Sequence, residues 1–169
     1  MQIRAATMSD IAPIMALVKR VVPLMRASGN LQWDDEYPNP GVFERDISKQ
    51  QLWLAEVDGA LAGVAAITTA QEPEYAEVGW DIDELSIVVH RLAVDPDHHG
   101  KGIAVALMEK AEEVAKERDI AILKVDTNIQ NTATQKLFPK LGYQPVGEIS
   151  LAFRPGLRFR CYEKRLTKI

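Results

Sequence analysis

The stretch HRLAVDPDHHGKGIAVALM, from His90 to Met108, decides the fold. It reads as the end of a strand over Ser86 to Val94 and a tight acidic turn with Pro96. A short glycine loop, Gly100-Lys101-Gly102, follows, and a helix starts at about Lys101. Glycine lets a backbone turn tightly and approach a ligand closely. The first N–H groups of a helix lack intrahelical partners, and the helix dipole adds positive character there. Together these make an anion site suited to phosphate, although glycine also punctuates ordinary strand-to-helix turns.

Two common phosphate loops are excluded. A Walker loop needs Gly, four residues, then Gly-Lys-Ser/Thr, but here Gly102 follows Lys101 and Asp95 holds the earlier glycine position. The dinucleotide fingerprint needs three glycines across six residues, which His99-Gly100-Lys101-Gly102-Ile103-Ala104 lacks.

Outward from this core, the chain has 169 residues, enough for one domain over residues 1–169 with a substantial core. Charged residues make up 26% and the net charge is -4, which gives no global attraction for nucleic acid. The run from Arg154 to Lys168 is locally basic and reads as a solvated strand face. No apolar run is long enough to span a bilayer, and MQIRAATMSD lacks the form of a signal peptide. The single Cys161 rules out an internal disulfide. The expected location is the cytoplasm, without membrane or nucleic-acid partners.

Gln2 to Ala5 reads as a strand, and Thr7-x-x-Asp10 as a helix start. Ile11, Ile14, Met15, Val18, Val22 and Met25 recur at helical spacing, and Pro23 is expected to kink or end that helix. Val42 to Lys49 suits a second helix. Gln51–Val57 and Leu61–Thr69 flank Asp58-Gly59, a strong hairpin signal. Gln71 to Glu84 is acidic and irregular. Ile103, Leu107, Ala111 and Val114 mark one helix face. Ile120–Val125 is a strand, Asn131–Leu141 a helix closed by Gly142, and Tyr143–Leu151 and Phe159–Leu166 the last strands. The expected architecture is α/β: a mixed, mostly antiparallel sheet with one parallel β-α-β unit and helices on both faces.

The glycine loop resembles the pyrophosphate loop of the GNAT superfamily of N-acetyltransferases, Gln/Arg-x-x-Gly-x-Gly/Ala after a Leu-Ala-Val strand. Leu92-Ala93-Val94 is present, and the departure is His99 at the Gln/Arg position. A second segment, Asn131-x-x-Thr134-x-x-Leu137-Phe138-x-Lys140-Leu141-Gly142-Tyr143, is similar to the family's Asn-x-x-Ala-x-x-Leu-Tyr-x-Lys-x-Gly-Phe. The resemblance implies a GNAT fold with two splayed central strands. It also implies acetyl-CoA as co-substrate, held by Leu92, Ala93, Val94, His99, Gly100, Lys101, Gly102, Ile103, Ala104, Asn131 and Phe138. An Asn amide both donates and accepts, so Asn131 can pin a pantetheine chain, and it equally suits a helix N-cap. Phe138 stands where the family often places a Tyr that protonates the departing thiolate. Phe cannot do this.

The resemblance implies direct acetyl transfer to the primary amine of a small molecule. A protein N-terminus or lysine is the alternative acceptor, and a non-catalytic acetyl-CoA sensor the alternative role. Acyl transfer needs a base near neutral pKa and donors for the carbonyl oxygen, for which backbone N–H groups near Leu92 to Val94 are candidates. His90 is the candidate base: two residues before Leu92, it is expected to share that strand face. Some amine acetyltransferases of the family carry a catalytic His there. A satisfied strand histidine is the plainer alternative. Glu84 and Asp126 are weaker candidates at strand ends. In the loop Gly29 to Gly41, Trp33, Asp34 and Tyr37 suit a cationic amine through ring faces and charge, unless Trp33 simply fills the core. His90, His98 and His99 do not converge on a metal, and none is expected. A homodimer is left open.

Overall fold

The computed structural model describes residues 1–167 of the chain, so Lys168 at the end of the basic run lies outside the described residues. The strands are β1 (Gln2–Ala5), β2 (Leu52–Val57), β3 (Ala60–Thr68), β4 (Ile87–Val94), β5 (Ile122–Asn128), β6 (Gln144–Ser150) and β7 (Arg158–Arg165). The helices are α1 (Ile11–Ala27), α2 (Pro40–Ser48), α3 (Ile103–Glu117) and α4 (Thr132–Lys140). They form one seven-stranded sheet in the order β1-β2-β3-β4-β5-β7-β6. Every pairing is antiparallel except β4 with β5, which α3 connects.

Strand alternation divides the core. Leu52, Leu54, Val64 and Ala66 pack with Ile14, Leu17 and Val18 of α1 and Phe43 of α2. Ala55, Ala65, Ile67, Ile87, Val89, Leu123 and Val125 pack on the other face with Leu107, Met108 and Ala111 of α3 and Phe138 of α4. Asp58 and Gly59 both take positive φ, 52° and 78°, as a tight hairpin turn requires.

Two local expectations shift. α1 runs past Pro23 to Ala27. Pro23 and Lys19 are both exposed, so the carbonyl that loses its donor faces water rather than the core. α3 begins at Ile103 rather than near Lys101, because Gly102 is its N-cap with a left-handed φ of 76°. α3 can seat closely on β3 because Gly63 has no side chain: a Cβ there would lie 2.6 Å from Ile103 Cγ2.

Candidate active site

β4 and β5 pair only over Ile87↔Leu123, Val88↔Lys124 and Val89↔Val125. Both strands continue beyond that register without pairing, and a cleft opens between them. Val89, His90, Arg91 and Leu92 line one side, and Val125, Asp126 and Thr127 the other. Asn131, Thr134 and Phe138 of α4 complete it.

A bulge in β4 shapes this opening. Ala66 pairs with His90 and Val64 with Ala93, so Ala65 faces two residues. Arg91 absorbs the extra residue at φ 53°, a conformation uncommon for a side chain other than glycine. Its guanidinium is held by both Asp46 oxygens, at 2.7 and 2.6 Å, and donates to the Tyr37 hydroxyl at 3.3 Å. Asp46 is buried and also accepts from Gln51 at 2.9 Å. The bulge corrects one expectation: His90 and Leu92 do not share a face. His90 pairs toward the α1 side with Ala66, whereas Leu92 packs with the α3 cluster and Ala93 returns to the α1 side.

Leu92, Ala93 and Val94 lead from the cleft to the glycine loop. Asp95 is buried; its N–H donates to the Ala62 carbonyl at 2.8 Å, and its carboxylate accepts from the Asp97 N–H at 2.9 Å and pairs with Arg20. The turn is thereby pinned on both sides. His99, Gly100, Lys101 and Gly102 are exposed, and both glycines take φ 76°. The Ala106 N–H donates back to the Gly102 carbonyl at 3.0 Å, so the N–H groups of Ile103, Ala104 and Val105 lack intrahelical acceptors. A Cβ on Gly100 or Gly102 would meet no atom within 4 Å. The loop thus fronts open space bounded by backbone donors, which fits a phosphate.

Besides Arg91 and Tyr37, three titratable groups line the cleft. His90 Nε2 bonds the Ala70 carbonyl at 2.9 Å. A carbonyl only accepts, so in the neutral ring Nε2 carries the proton and Nδ1 keeps the lone pair. Burial holds the imidazole below its ordinary value, with the Ala70 carbonyl opposing, so the ring is neutral at neutral pH. Asp126 accepts from the hydroxyl of buried Tyr75, and burial lifts its carboxyl to about 6 despite that bond. Glu72 is raised by burial, with His90 and Arg91 opposing and Asp126 and Glu74 adding. Glu84 is not among the cleft residues; it lies 3.7 Å from Arg165. Burial pushes the Cys161 thiol up to about 12, which makes it a poor nucleophile.

Asn131 caps α4, its side-chain oxygen accepting from the Thr134 N–H at 3.2 Å, while the residue lines the cleft. The cap uses the oxygen, so the amide NH₂ remains to donate. Phe138 is 1% exposed, with its ring 5.4 Å from Tyr162 and 5.9 Å from Tyr143.

The loop expected to meet the amine divides. Tyr37 lines both the cleft and an outer recess formed with Glu72, Phe153 and Arg154. Trp33 reaches the cleft but is buried among the α1 residues, and its carbonyl accepts from Arg26 at 3.1 Å. Asp34 does not line either space. It accepts from the N–H groups of Glu36 and Tyr37 at 2.8 and 2.9 Å and pairs with Arg154 at 3.1 Å. Sequence reasoning missed Glu72, Arg91, Tyr75 and Phe153 as site residues. The acidic, irregular character of Gln71 to Glu84 was the one signal for Glu72; the other three left none.

The sequence profile of the Acetyltransferase (GNAT) family matches residues 18–143. N-acetylaspartate synthetase of Xenopus tropicalis is 28% identical over 113 residues, covering 67% of this chain and 38% of that protein. The chain therefore spans well under half of that relative's length. An acetyltransferase of the GNAT family from Streptococcus agalactiae superposes with a TM-score of 0.83 at 28% identity, over 99% of this chain and 96% of that one. The fold is also shared by yncA of Salmonella typhimurium, solved with acetyl-CoA, at a TM-score of 0.73 and 19% identity, over 100% of this chain and 95% of that one.

Proposed function

Because the chain belongs to the GNAT acetyltransferase family, we propose that it transfers the acetyl group of acetyl-CoA to the primary amine of a small molecule by direct attack. The observation that carries this reading is the splay of β4 and β5. The cleft it opens holds His90 and Asp126, and the chain runs on from β4 into the phosphate-fitting glycine loop.

The backbone N–H groups of Ile103, Ala104 and Val105, with the loop from His99 to Gly102, receive the pyrophosphate. The Asn131 amide NH₂ donates to the pantetheine arm, and Phe138 packs beside it. Backbone N–H groups about Leu92, freed from β5 by the splay, stabilise the carbonyl oxygen as it gains charge. The ammonium first gives one proton to His90 Nδ1, leaving a neutral amine. The nitrogen attacks the thioester carbon, the C–N bond forms and the C–S bond breaks. The amide nitrogen sheds its second proton to solvent, and the thiolate takes one from water, since Phe138 has no hydroxyl. The balance is ammonium plus acetyl-CoA to amide, free CoA and one proton.

A panel of small amines, an N-terminal peptide and a lysine peptide, each with acetyl-CoA and a thiol reagent, tests this reading. Release of CoA thiol with small amines is the expected result. Release with peptides alone moves the acceptor to protein. Acetyl-CoA binding without release from any acceptor replaces the enzyme with a sensor.

A further inference from the structure

Charge in the cleft is nearly all internally matched. Arg91 is held by Asp46, Arg154 by Asp34, and Asp126 by the Tyr75 hydroxyl. Two groups are less fully matched: Arg154, whose Nε and Nη2 are buried without a partner among the described residues, and Glu72. Among the described residues its carboxylate makes no hydrogen bond and no ion pair, although it is half-buried and lines both the cleft and the outer recess. It stands at the N-cap of a short 3-10 turn yet makes no capping bond, so the turn does not account for it. Its oxygens are not sealed from solvent, so a partly desolvated carboxylate stays open to a cationic ligand entering the recess. Tyr37 and Phe153, ring centroids 5.9 Å apart, line the recess beside it; the Arg154 guanidinium already lies 5.3 Å over the Tyr37 ring, so what the two rings offer a ligand is apolar surface.

We propose that Glu72 is the specificity residue that holds the ammonium of a primary alkylamine at the mouth of the cleft, from which the nitrogen reaches His90. This rests on the acetyl-transfer reading given above. The carboxylate selects the charged form of the acceptor, and the rings of Tyr37 and Phe153 cover its carbon chain. Because Glu72 makes no capping bond and, among the described residues, no hydrogen bond or ion pair, Glu72→Gln removes the charge without breaking a bond; the field it puts on His90 is removed with it.

Wild type and Glu72→Gln are compared at neutral pH with acetyl-CoA on butylamine, which is cationic, and on aniline, which is not. The variant is expected to raise KM for butylamine about tenfold or more, the size of one hydrogen bond to a charged group. KM for acetyl-CoA and use of aniline are expected to change less than twofold. Glu72→Asp should recover part of the butylamine effect. Equal losses on butylamine and aniline would overturn the proposal, because the residue would then only shape the cleft. If wild type turns over neither amine and releases no CoA thiol with any acceptor of the panel, the acetyl-transfer reading fails separately. Calorimetry of butylamine with the CoA-loaded protein then decides Glu72: binding in wild type that the variant loses supports the role, and equal or absent binding in both overturns it.

Discussion

The two walls of the cleft are made by different means. The phosphate end of the wall proposed for acetyl-CoA is one continuous piece of chain, from the β4 bulge through the glycine loop into α3, with Asn131 and Phe138 added from α4. Its chemistry is that of the backbone: two glycines at φ 76° and the free N–H groups of a helix start. The wall proposed for the acceptor collects Tyr37, Glu72, His90, Asp126 and Phe153 from five separate segments. Its chemistry is that of side chains whose charges are set by burial and partners. A backbone site survives most changes around it and fails when its own conformation fails. An assembled site can be retuned one side chain at a time.

The sharpest way to break this comparison is Gly102→Val. The side chain would meet no protein atom, so the cost to folding is that of a left-handed residue, about 1–2 kcal/mol. It would, however, occupy the space in front of the helix N-terminus. The expected result is complete loss of the rise in melting temperature that acetyl-CoA gives wild type. Gly59→Ala is the control. Gly59 has φ 78° and open space around it, but sits in the β2–β3 turn, so it should lower stability and leave the acetyl-CoA shift intact. Equal acetyl-CoA shifts in Gly102→Val and wild type would remove the loop from the binding site.

Next in size is His90→Gln, expected to keep acetyl-CoA binding and to lose about two to four decades of rate. The neutral imidazole is the active form, so wild-type kcat/KM should fall on the acid side as His90 takes a proton. Its pKa is depressed by burial, which places that limb below 6.5. Asp126 titrates at about 6 and is active as a base only when ionised, so it would give a limb of the same sign. The variant separates them. A near-normal rate with a limb still at about 6 would move the base from β4 to β5, onto the other side of the splay.

The same division explains what the sequence disclosed. The loop, the hairpin at Asp58-Gly59 and the Asn131 cap are local, and each follows from residues a few positions apart. The element order and the parallel β4-α3-β5 unit were also legible. The bulge at Arg91 was not, because no Gly or Asn marks the positive φ; Asp46, far away in the chain, holds it. That hidden residue is why His90 and Leu92, two apart, face opposite sides. The insertion of β7 between β5 and β6 was hidden as well, since an alternating pattern does not name its neighbour. The role proposed for Glu72 rests on the partner it lacks among the described residues, and a sequence carries no direct signal for a missing partner.

A smaller effect is expected from Phe138→Tyr, where the two walls meet. The ring is almost fully buried against Tyr143 and Tyr162. An added hydroxyl left unpaired would cost about 1–3 kcal/mol, read as a lower melting temperature. Because Phe138 lines the cleft, the phenol can also supply the thiolate's proton. Turnover should therefore rise while the acetyl-CoA shift stays unchanged. A drop in stability with no gain in turnover would show that water already serves as the acid.

The smallest effect is expected from Asp34→Asn, and it tests where the acceptor wall begins. The Asn oxygen can still accept from the Glu36 and Tyr37 N–H groups, so the loop keeps its turn. What is lost is the ion pair with Arg154, whose Asp34 side is 36% exposed and so contributes about 0.2–1 kcal/mol. The backbone N–H bond from Glu36, with further help from the Tyr37 N–H and Arg154, holds the Asp34 carboxyl below its ordinary 3.8. Its share of stability is therefore present at neutral pH and disappears only as the pH falls below 3.8 through the folded value. KM for butylamine should shift far less than in Glu72→Gln, because Asp34 already has its cation and lines neither space. Should Asp34→Asn raise that KM as much as Glu72→Gln does, the Asp34–Arg154 pair holds the acceptor in place. The wall would then be organised by the loop after α1 rather than by Glu72.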